Sequence, residues 1–293
     1  MYDQLPTERV DPEGPELDRL APAEIARLLL AEEERARAAV AGALSSIGRL
    51  CEAAADALRL GARLIYVGAG TSGRLGVLDA SEMGPTFGAP PGQVVGLLAG
   101  APAALTAAVE GVEDDSDAGA AAMQLLEPAP DDLVLGITMS GTAAYVEAAL
   151  RTAAASGAQT ALLTAHSGSS IVARQRVVLD LGPELLAGST RLKGGSATKA
   201  VLNMVSTAAM AASGAVYGNR MVRVRPSNRK LRSRAERLVV ELGGVESKRA
   251  GLLLRQADDE VAVAVVMARR AMDPSAARSA LQAAGGRLRE ALS

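Results

Sequence analysis

Short apolar runs that alternate with helical stretches constrain the fold of this 293-residue chain most strongly. The candidate strands are Arg63–Val67, Val94–Leu98, Leu133–Thr138, Thr160–Thr164 and Val177–Leu181. Apolar residues in these runs are consecutive rather than alternate, which is typical of parallel strands covered on both faces. The helical segments around them are Ala101–Val109, Ser116–Leu126, Ala143–Ala155 and, after the last strand, Thr198–Ser213. This order predicts an α/β domain with a parallel sheet.

Helical patterns without strands flank the sheet region on both sides. Residues 1–22 carry four prolines and predict an extended lead-in, whereas Ala23–Leu60 predicts two helices or one helix bent near Gly42. Beyond Asn228 the predicted helices are Lys230–Leu242, Glu246–Arg255, Glu260–Arg270 and Pro274–Ala284. We therefore expect N-terminal helices over residues 1–55, a flavodoxin-like five-stranded domain over 56–225, and a small helical subdomain over 226–293.

Composition excludes several classes of protein. The net charge is −2, no interleaved aromatic residues accompany the basic stretch, and no segment is apolar enough to span a membrane. We therefore expect neither a nucleic-acid nor a membrane partner. The basic residues predict a solvated face or a subunit contact: Arg220, Arg223, Arg225, Arg229, Lys230, Arg232, Arg234 and Arg237. A single cysteine, Cys51, excludes an internal disulfide and is ordinary in the reducing cytoplasm.

A glycine-rich turn follows the first predicted strand. The segment Gly68–Gly73 reads G-x-G-x-x-G between a strand and a helix, a pattern that brings backbone N–H groups close to a phosphate. A dinucleotide site would need an acidic residue at the end of the second strand, and Val94–Leu98 has none there. Gly70, Thr71 and Ser72 therefore indicate a phosphate monoester more strongly than NAD.

A second hydroxyl-rich turn follows the third predicted strand. It contains Thr138, Ser140, Gly141 and Thr142. Because ligands of doubly wound sheets bind at the carboxyl ends of the strands, both turns are expected at one site. Together they predict a sugar-phosphate site.

These two turns resemble those of sugar isomerase (SIS) domains, and longer motifs resemble one branch, the N-acetylmuramic acid 6-phosphate etherase family. The matching segments are Gly68–Glu82 with the turn Pro85–Gly88, Val109–Asp114, Gly188–Lys199 continuing through Met204, Gly218–Val222 and Gly285–Arg289. The resemblance covers nearly the whole chain, and its first motif, of 15 residues, is highly specific.

The resemblance implies a lyase that cleaves the D-lactyl ether of N-acetylmuramic acid 6-phosphate during peptidoglycan recycling, giving N-acetylglucosamine 6-phosphate and D-lactate. It implies that Glu82 protonates the departing lactate oxygen and that Glu113 removes the C2 proton. Ser189, Thr190 and Lys193 are then expected to help close the substrate site. It also implies a homodimer with shared active sites, and it implies no metal or other cofactor.

Two segments depart from the family pattern. The usual Ser-Gly-Arg-Thr-Pro-Tyr of the second turn is Ser140–Tyr145 here, with Thr142 in place of the arginine, and an N-terminal Arg-Asn-Pro element is altered to Arg9–Pro12. Two other functions therefore stay open: a SIS protein that senses sugar phosphates without chemistry, and an aldose–ketose isomerase. His166, after the fourth predicted strand, is either a pocket residue or an ordinary loop histidine.

Overall fold

The computed structural model describes Leu5, residues 7–226 and residues 228–293. The chain forms two compact units: Met1–Ala80 with Gln93–Ser206, and Ser81–Gly92 with Thr207–Ser293. No helix within the described residues is long and apolar enough to cross a membrane.

The first unit is built on a five-stranded parallel sheet. Its strands are β1 (Leu64–Gly68), β2 (Val94–Leu98), β3 (Leu133–Ile137), β4 (Gln159–Thr164) and β5 (Gln175–Val178). Their spatial order is β2-β1-β3-β4-β5, and every neighbouring pair is parallel. This is the flavodoxin-like order, so the predicted α/β fold is confirmed.

Helices cover both faces of this sheet. They are α1 (Pro22–Gly42), α2 (Leu44–Arg59), α3 (Gly70–Phe87), α4 (Ser116–Leu125), α5 (Ala144–Ala155) and α6 (Lys193–Met210). Ile65 and Val67 of β1 pack in one core cluster with α4 and α5, whereas Tyr66 between them bonds to α3 on the other face. Burial on both faces explains why the central strands β1 and β3 are apolar throughout.

Three predictions for the first unit were wrong in detail. The expected helix Ala101–Val109 is only a short 3-10 turn, Ala103–Leu105. The fifth strand lies earlier than Val177–Leu181, because residues beyond Val178 leave the sheet. The helix expected from Thr198 begins at Lys193, where the buried Glu184 carboxylate accepts its first N–H groups.

The second unit is mainly helical, as predicted for the C-terminal residues. Its helices after α6 are α7 (Arg229–Gly243), α8 (Ser247–Gln256), α9 (Val261–Arg270), α10 (Pro274–Ala283) and α11 (Leu288–Leu292). They enclose one hydrophobic cluster centred on α9. The sequence did not predict α11 or the two-stranded hairpin formed by β6 (Val216–Tyr217) and β7 (Arg220–Met221), because these elements are too short to show periodicity.

Candidate functional site

A polar cavity of about 240 Å³ lies in the first unit at the carboxyl ends of β1 and β3. Its lining comes from the N-terminal segment, both predicted turns and the loop before α6: Leu5, Thr7, Glu8, Ala69, Gly70, Thr71, Ser72, Glu113, Ile137, Thr138, Met139, Ser140, Thr142, Ala143, Gly188 and Thr190. Ligands of doubly wound sheets bind at this edge, so the cavity is the candidate functional site.

The beginning of α3 forms one wall of the cavity. The helix starts at Gly70, so the side chains of Thr71 and Ser72 lie in its first turn, where backbone N–H groups lack helical acceptors and carry partial positive charge. A Cβ on Gly73 would lie 2.4 Å from the Gly68 carbonyl oxygen. The glycine therefore lets the helix start directly against β1, which aims these donors at an anion.

The second turn forms another wall, and its hydroxyl groups bond to one another. The Ser140 hydroxyl oxygen lies 3.2 Å from the Thr138 Oγ1 and accepts from the Thr142 hydroxyl at 3.0 Å. The hydroxyl of Ser169, a residue outside this turn, donates to the Gly141 carbonyl oxygen at 2.6 Å and holds the turn in place. Ser140 is thus the hub of a three-hydroxyl cluster that faces the cavity, while Gly141 itself is not in the lining.

Glu113 is a cavity-lining carboxyl group whose main chain is fixed to α5. Its carbonyl oxygen accepts from the Tyr145 N–H at 2.9 Å. Partial desolvation raises the pKa of the Glu113 carboxyl above its ordinary value, and the negative charges of Asp114, Glu110 and Glu8 raise it further. A raised pKa suits a group that exchanges a proton near neutral pH.

Glu82 belongs to the second unit, where it is an exposed residue of α3. It is not among the residues that line the cavity of the first unit. Its predicted role as the acid therefore stays a prediction. His166 is also outside the lining, and its Nδ1 is buried without a hydrogen-bond partner.

The loop before α6 contributes less to the cavity than the sequence predicted. Thr190 lines it, whereas Ser189 and Lys193 do not. Lys193 is fully buried, and its ammonium group pairs with Glu32 of α1 and donates to the Pro183 carbonyl oxygen. That Lys193 helps to close the site stays a prediction, and its ammonium group is paired within the protein interior.

The N-terminal segment was predicted as a lead-in, yet it supplies part of the cavity wall. Leu5 and Thr7 are buried, and the Thr7 carbonyl oxygen accepts from the Gly188 N–H at 3.0 Å. Glu8 follows and faces the cavity. Periodicity could not indicate this, because Leu5, Thr7 and Glu8 lie outside any helix or strand and Thr7 bonds to a residue distant in sequence.

Among the described residues, the lining contains two carboxyl groups, Glu8 and Glu113, and no lysine or arginine. An anion bound here would be held by the N–H groups of α3 and by hydroxyl groups rather than by a cation. Within the described residues, no group of three or more His, Cys, Asp or Glu side chains is arranged to hold a metal ion.

Comparison with known proteins identifies the family. The chain is 46% identical over 290 residues to the N-acetylmuramic acid 6-phosphate etherase of Salmonella agona, with 98% of each chain covered. It is 48% identical over 290 residues to the etherase of Gloeobacter violaceus, covering 98% of this chain and 95% of the relative. The chain belongs to the N-acetylmuramic acid 6-phosphate etherase family.

Two further comparisons concern the domain. Residues 28–154 match the family model of the glucokinase regulatory protein N-terminal SIS domain, which agrees with the predicted SIS fold. A solved phosphoheptose isomerase from Neisseria gonorrhoeae is 18% identical, with a TM-score of 0.49, and the match covers 65% of this chain and all of that one. Membership of the etherase family rests on the first two relatives, which span nearly the whole chain.

Proposed function

We propose that this protein is a carbon–oxygen lyase that cleaves the D-lactyl ether of N-acetylmuramic acid 6-phosphate. The observation that carries the proposal is Glu113, a carboxyl group with a raised pKa in the cavity that begins at the α3 N-terminus. Nearly full-length identity to named etherases supports the same substrate.

The proposed site binds the phosphate at the first turn of α3. Thr71, Ser72 and the backbone N–H groups donate to its oxygens, and the Ser140 cluster donates from the second turn. Fixing the phosphate at one end positions the open-chain sugar, and such positioning lowers the entropy cost of reaching the transition state.

The proposed reaction is an elimination followed by a hydration. In the open-chain sugar the C2 proton is acidic because it lies next to the C1 aldehyde. Glu113 removes this proton, a C2–C3 double bond forms, and the C3–O bond breaks while Glu82 protonates the lactate oxygen. Water then adds at C3 and a proton returns to C2, which gives N-acetylglucosamine 6-phosphate.

The pH dependence follows from the role of Glu113 as base. Only its ionised form accepts the C2 proton, and its pKa is raised. We therefore expect kcat/KM to fall as the pH drops through this raised pKa, at a pH above the ordinary range of a glutamate. A rate profile from pH 4 to 9 checks this.

Release of D-lactate from N-acetylmuramic acid 6-phosphate tests the function. We expect steady release by the unaltered protein and a loss of about 10²–10⁴-fold in kcat for Glu113→Gln, since a general base contributes that much. The control is Asp117→Asn on the exposed face of α4, which should keep full activity. If the unaltered protein releases no lactate, the proposal is wrong.

A sugar-phosphate sensor without chemistry is the second candidate. It is favoured by the match to a regulatory protein's SIS domain and by the absence of a cation in the cavity lining. Calorimetry with N-acetylmuramic acid 6-phosphate distinguishes the two: binding without lactate release identifies a sensor. An isomerase would instead convert an aldose phosphate to its ketose.

Our proposal also includes a homodimer with shared active sites that works in the cytoplasm in peptidoglycan recycling. Leu30 on α1 and Leu44 on α2 are both exposed, and these apolar side chains support the N-terminal helices as interface material. Gel filtration below 1 µM protein, a concentration at which only a tight dimer persists, tests the association.

A further inference from the structure

Glu8 brings a carboxyl group into the cavity for which neither the sequence motifs nor the proposed mechanism has a use. Glu8 is exposed, and no Lys, Arg or His side chain among the described residues forms an ion pair with its carboxyl group. Its Oε1 accepts from the Thr7 hydroxyl at 3.5 Å, which leaves further acceptor sites of the carboxylate open to a ligand.

The position of Glu8 is determined by its neighbours. Its N–H donates to the Leu5 carbonyl oxygen at 3.0 Å, and the preceding residue, the buried Thr7, accepts from the Gly188 N–H. A Cβ on Gly188 would lie 2.9 Å from the Glu8 Oε2. The carboxylate therefore passes directly over the Gly188 main chain, in the same cavity as Thr190.

The hydrogen-bond donors and the negatively charged groups of the cavity come from different parts of its wall. Hydrogen-bond donors suited to an anion come from α3 and the second turn, whereas the two carboxyl groups among the described lining residues, Glu8 and Glu113, are negative when ionised. A carboxylate repels a phosphate and accepts hydrogen bonds from hydroxyl and amide N–H groups. Glu8 is therefore suited to the part of a ligand that carries such donors, not to its phosphate.

We propose that Glu8 is a specificity-determining residue that accepts hydrogen bonds from hydroxyl or amide N–H donors of the sugar. This inference rests on the proposed function, because it assumes that a sugar phosphate occupies the cavity. It assigns the N-terminal segment a direct part in recognising the substrate.

A second consequence concerns Glu113. The charged groups that act on it are Asp114 and Glu110 from its own loop and Glu8 from the N-terminal segment, and all three raise its pKa. Loss of the Glu8 charge therefore lowers the pKa of Glu113. A residue that merely supports the fold would leave that pKa unchanged.

The test compares Glu8→Gln with the unaltered protein in three measurements. We expect KM for N-acetylmuramic acid 6-phosphate to rise by roughly 10-fold, since hydrogen bonds to charged groups are among the stronger ones. Inhibition by inorganic phosphate should not weaken, because phosphate contains no sugar donors. The acid limb of kcat/KM should move to lower pH. Glu8→Asp should restore part of the lost affinity.

Glu13→Gln is the matched control, since Glu13 is an exposed glutamate of the same segment outside the cavity lining. An unchanged KM and an unchanged acid limb in Glu8→Gln would overturn this inference while leaving the proposed function intact. Absence of lactate release by the unaltered protein would instead refute the proposed function. Thermal unfolding checks that each variant is folded.

Discussion

The two turns that build the cavity offer an anion different groups. The turn before α3 presents backbone N–H groups, which only the path of the main chain can place. The turn after β3 presents the side-chain hydroxyls of Thr138, Ser140 and Thr142, which bond to one another. The first turn therefore depends on glycine and tight packing, whereas the second can exchange side chains one at a time.

This difference explains why the two turns differ in their resemblance to the family. The first keeps the whole motif from Gly68 to Glu82, because its backbone geometry permits little change. The second has Thr142 where the family usually has arginine, and the hydroxyl cluster shows that the substituted residue still joins the turn. A site built from backbone N–H groups should therefore tolerate substitution poorly, whereas a site built from side-chain hydroxyls should tolerate it well.

Gly73→Ala should have the largest effect on the free energy of unfolding. The added Cβ would meet the Gly68 carbonyl oxygen at 2.4 Å and Leu98 Cδ1 at 2.7 Å, so α3 must move. We expect the free energy of unfolding to fall by at least about 3 kcal/mol, with loss of phosphate binding. Gly48→Ala is the control, because its Cβ meets nothing within 4 Å, and denaturant unfolding measures both. Equal stability of the two variants would contradict the tight packing of the first turn.

Asp79→Ala tests whether a buried network holds the helix of the first turn. Asp79 is 1% exposed, accepts from the Tyr66 hydroxyl at 3.0 Å and pairs with the Lys199 ammonium group at 2.9 Å. Its removal leaves the buried Tyr66 hydroxyl without this acceptor and leaves the Lys199 ammonium group with Asn203, so we expect a loss of about 3 kcal/mol in unfolding free energy. The exposed pair of Asp56 and Arg59 gives the control, Asp56→Ala, with an expected change below about 0.5 kcal/mol. Similar losses in both variants would argue against the network.

Ser140→Ala removes the hub of the second turn and leaves its backbone path unchanged. We expect KM to rise by roughly 5- to 10-fold, since one hydrogen bond to the ligand and the mutual orientation of two hydroxyls are lost. Stability should hardly change. Ser156→Ala, at the exposed end of α5, is the control in steady-state kinetics. A loss of stability as large as that of Gly73→Ala would erase the contrast between the turns.

Thr142→Arg should give the smallest effect, and a favourable one. The residue is exposed at the cavity edge, and the substitution adds a cation to a lining that has none. We expect KM to fall by about 3-fold at low salt, with the gain disappearing as salt screens the charge. Thr142→Gln supplies similar length without charge and should show no such gain. A salt-independent effect would show that charge is not the cause.

Much of the fold was predictable because the signals are local. Continuous apolar runs predicted all five parallel strands, and the helical periodicity of residues 230–284 predicted four helices within a few residues of their observed ends. The short 3-10 turn Ala103–Leu105 was mistaken for a helix because alanine favours helices wherever it occurs. The hairpin of β6 and β7 was missed because each strand has only two residues.

The candidate site was predictable where a motif determines the backbone. Glycines after β1 indicated a turn that lines the cavity, and resemblance singled out Glu113, which lines it too. The partner of Lys193 was not predictable, since Glu32 is 161 residues away in sequence. Neither was the place of Glu8, whose neighbour Thr7 accepts from the Gly188 N–H.

The sequence by itself determined the order of strands and helices along the chain, the glycine-rich turn after β1 and the family, because these depend on spacing along the chain. Only the tertiary structure decided which charges face the cavity, since burial and ion pairing arise between segments that meet after folding. It buried the lysine with an acidic partner and brought the N-terminal glutamate to the cavity. The physical reason is that the energy of a charge depends on its surroundings, which distant residues supply.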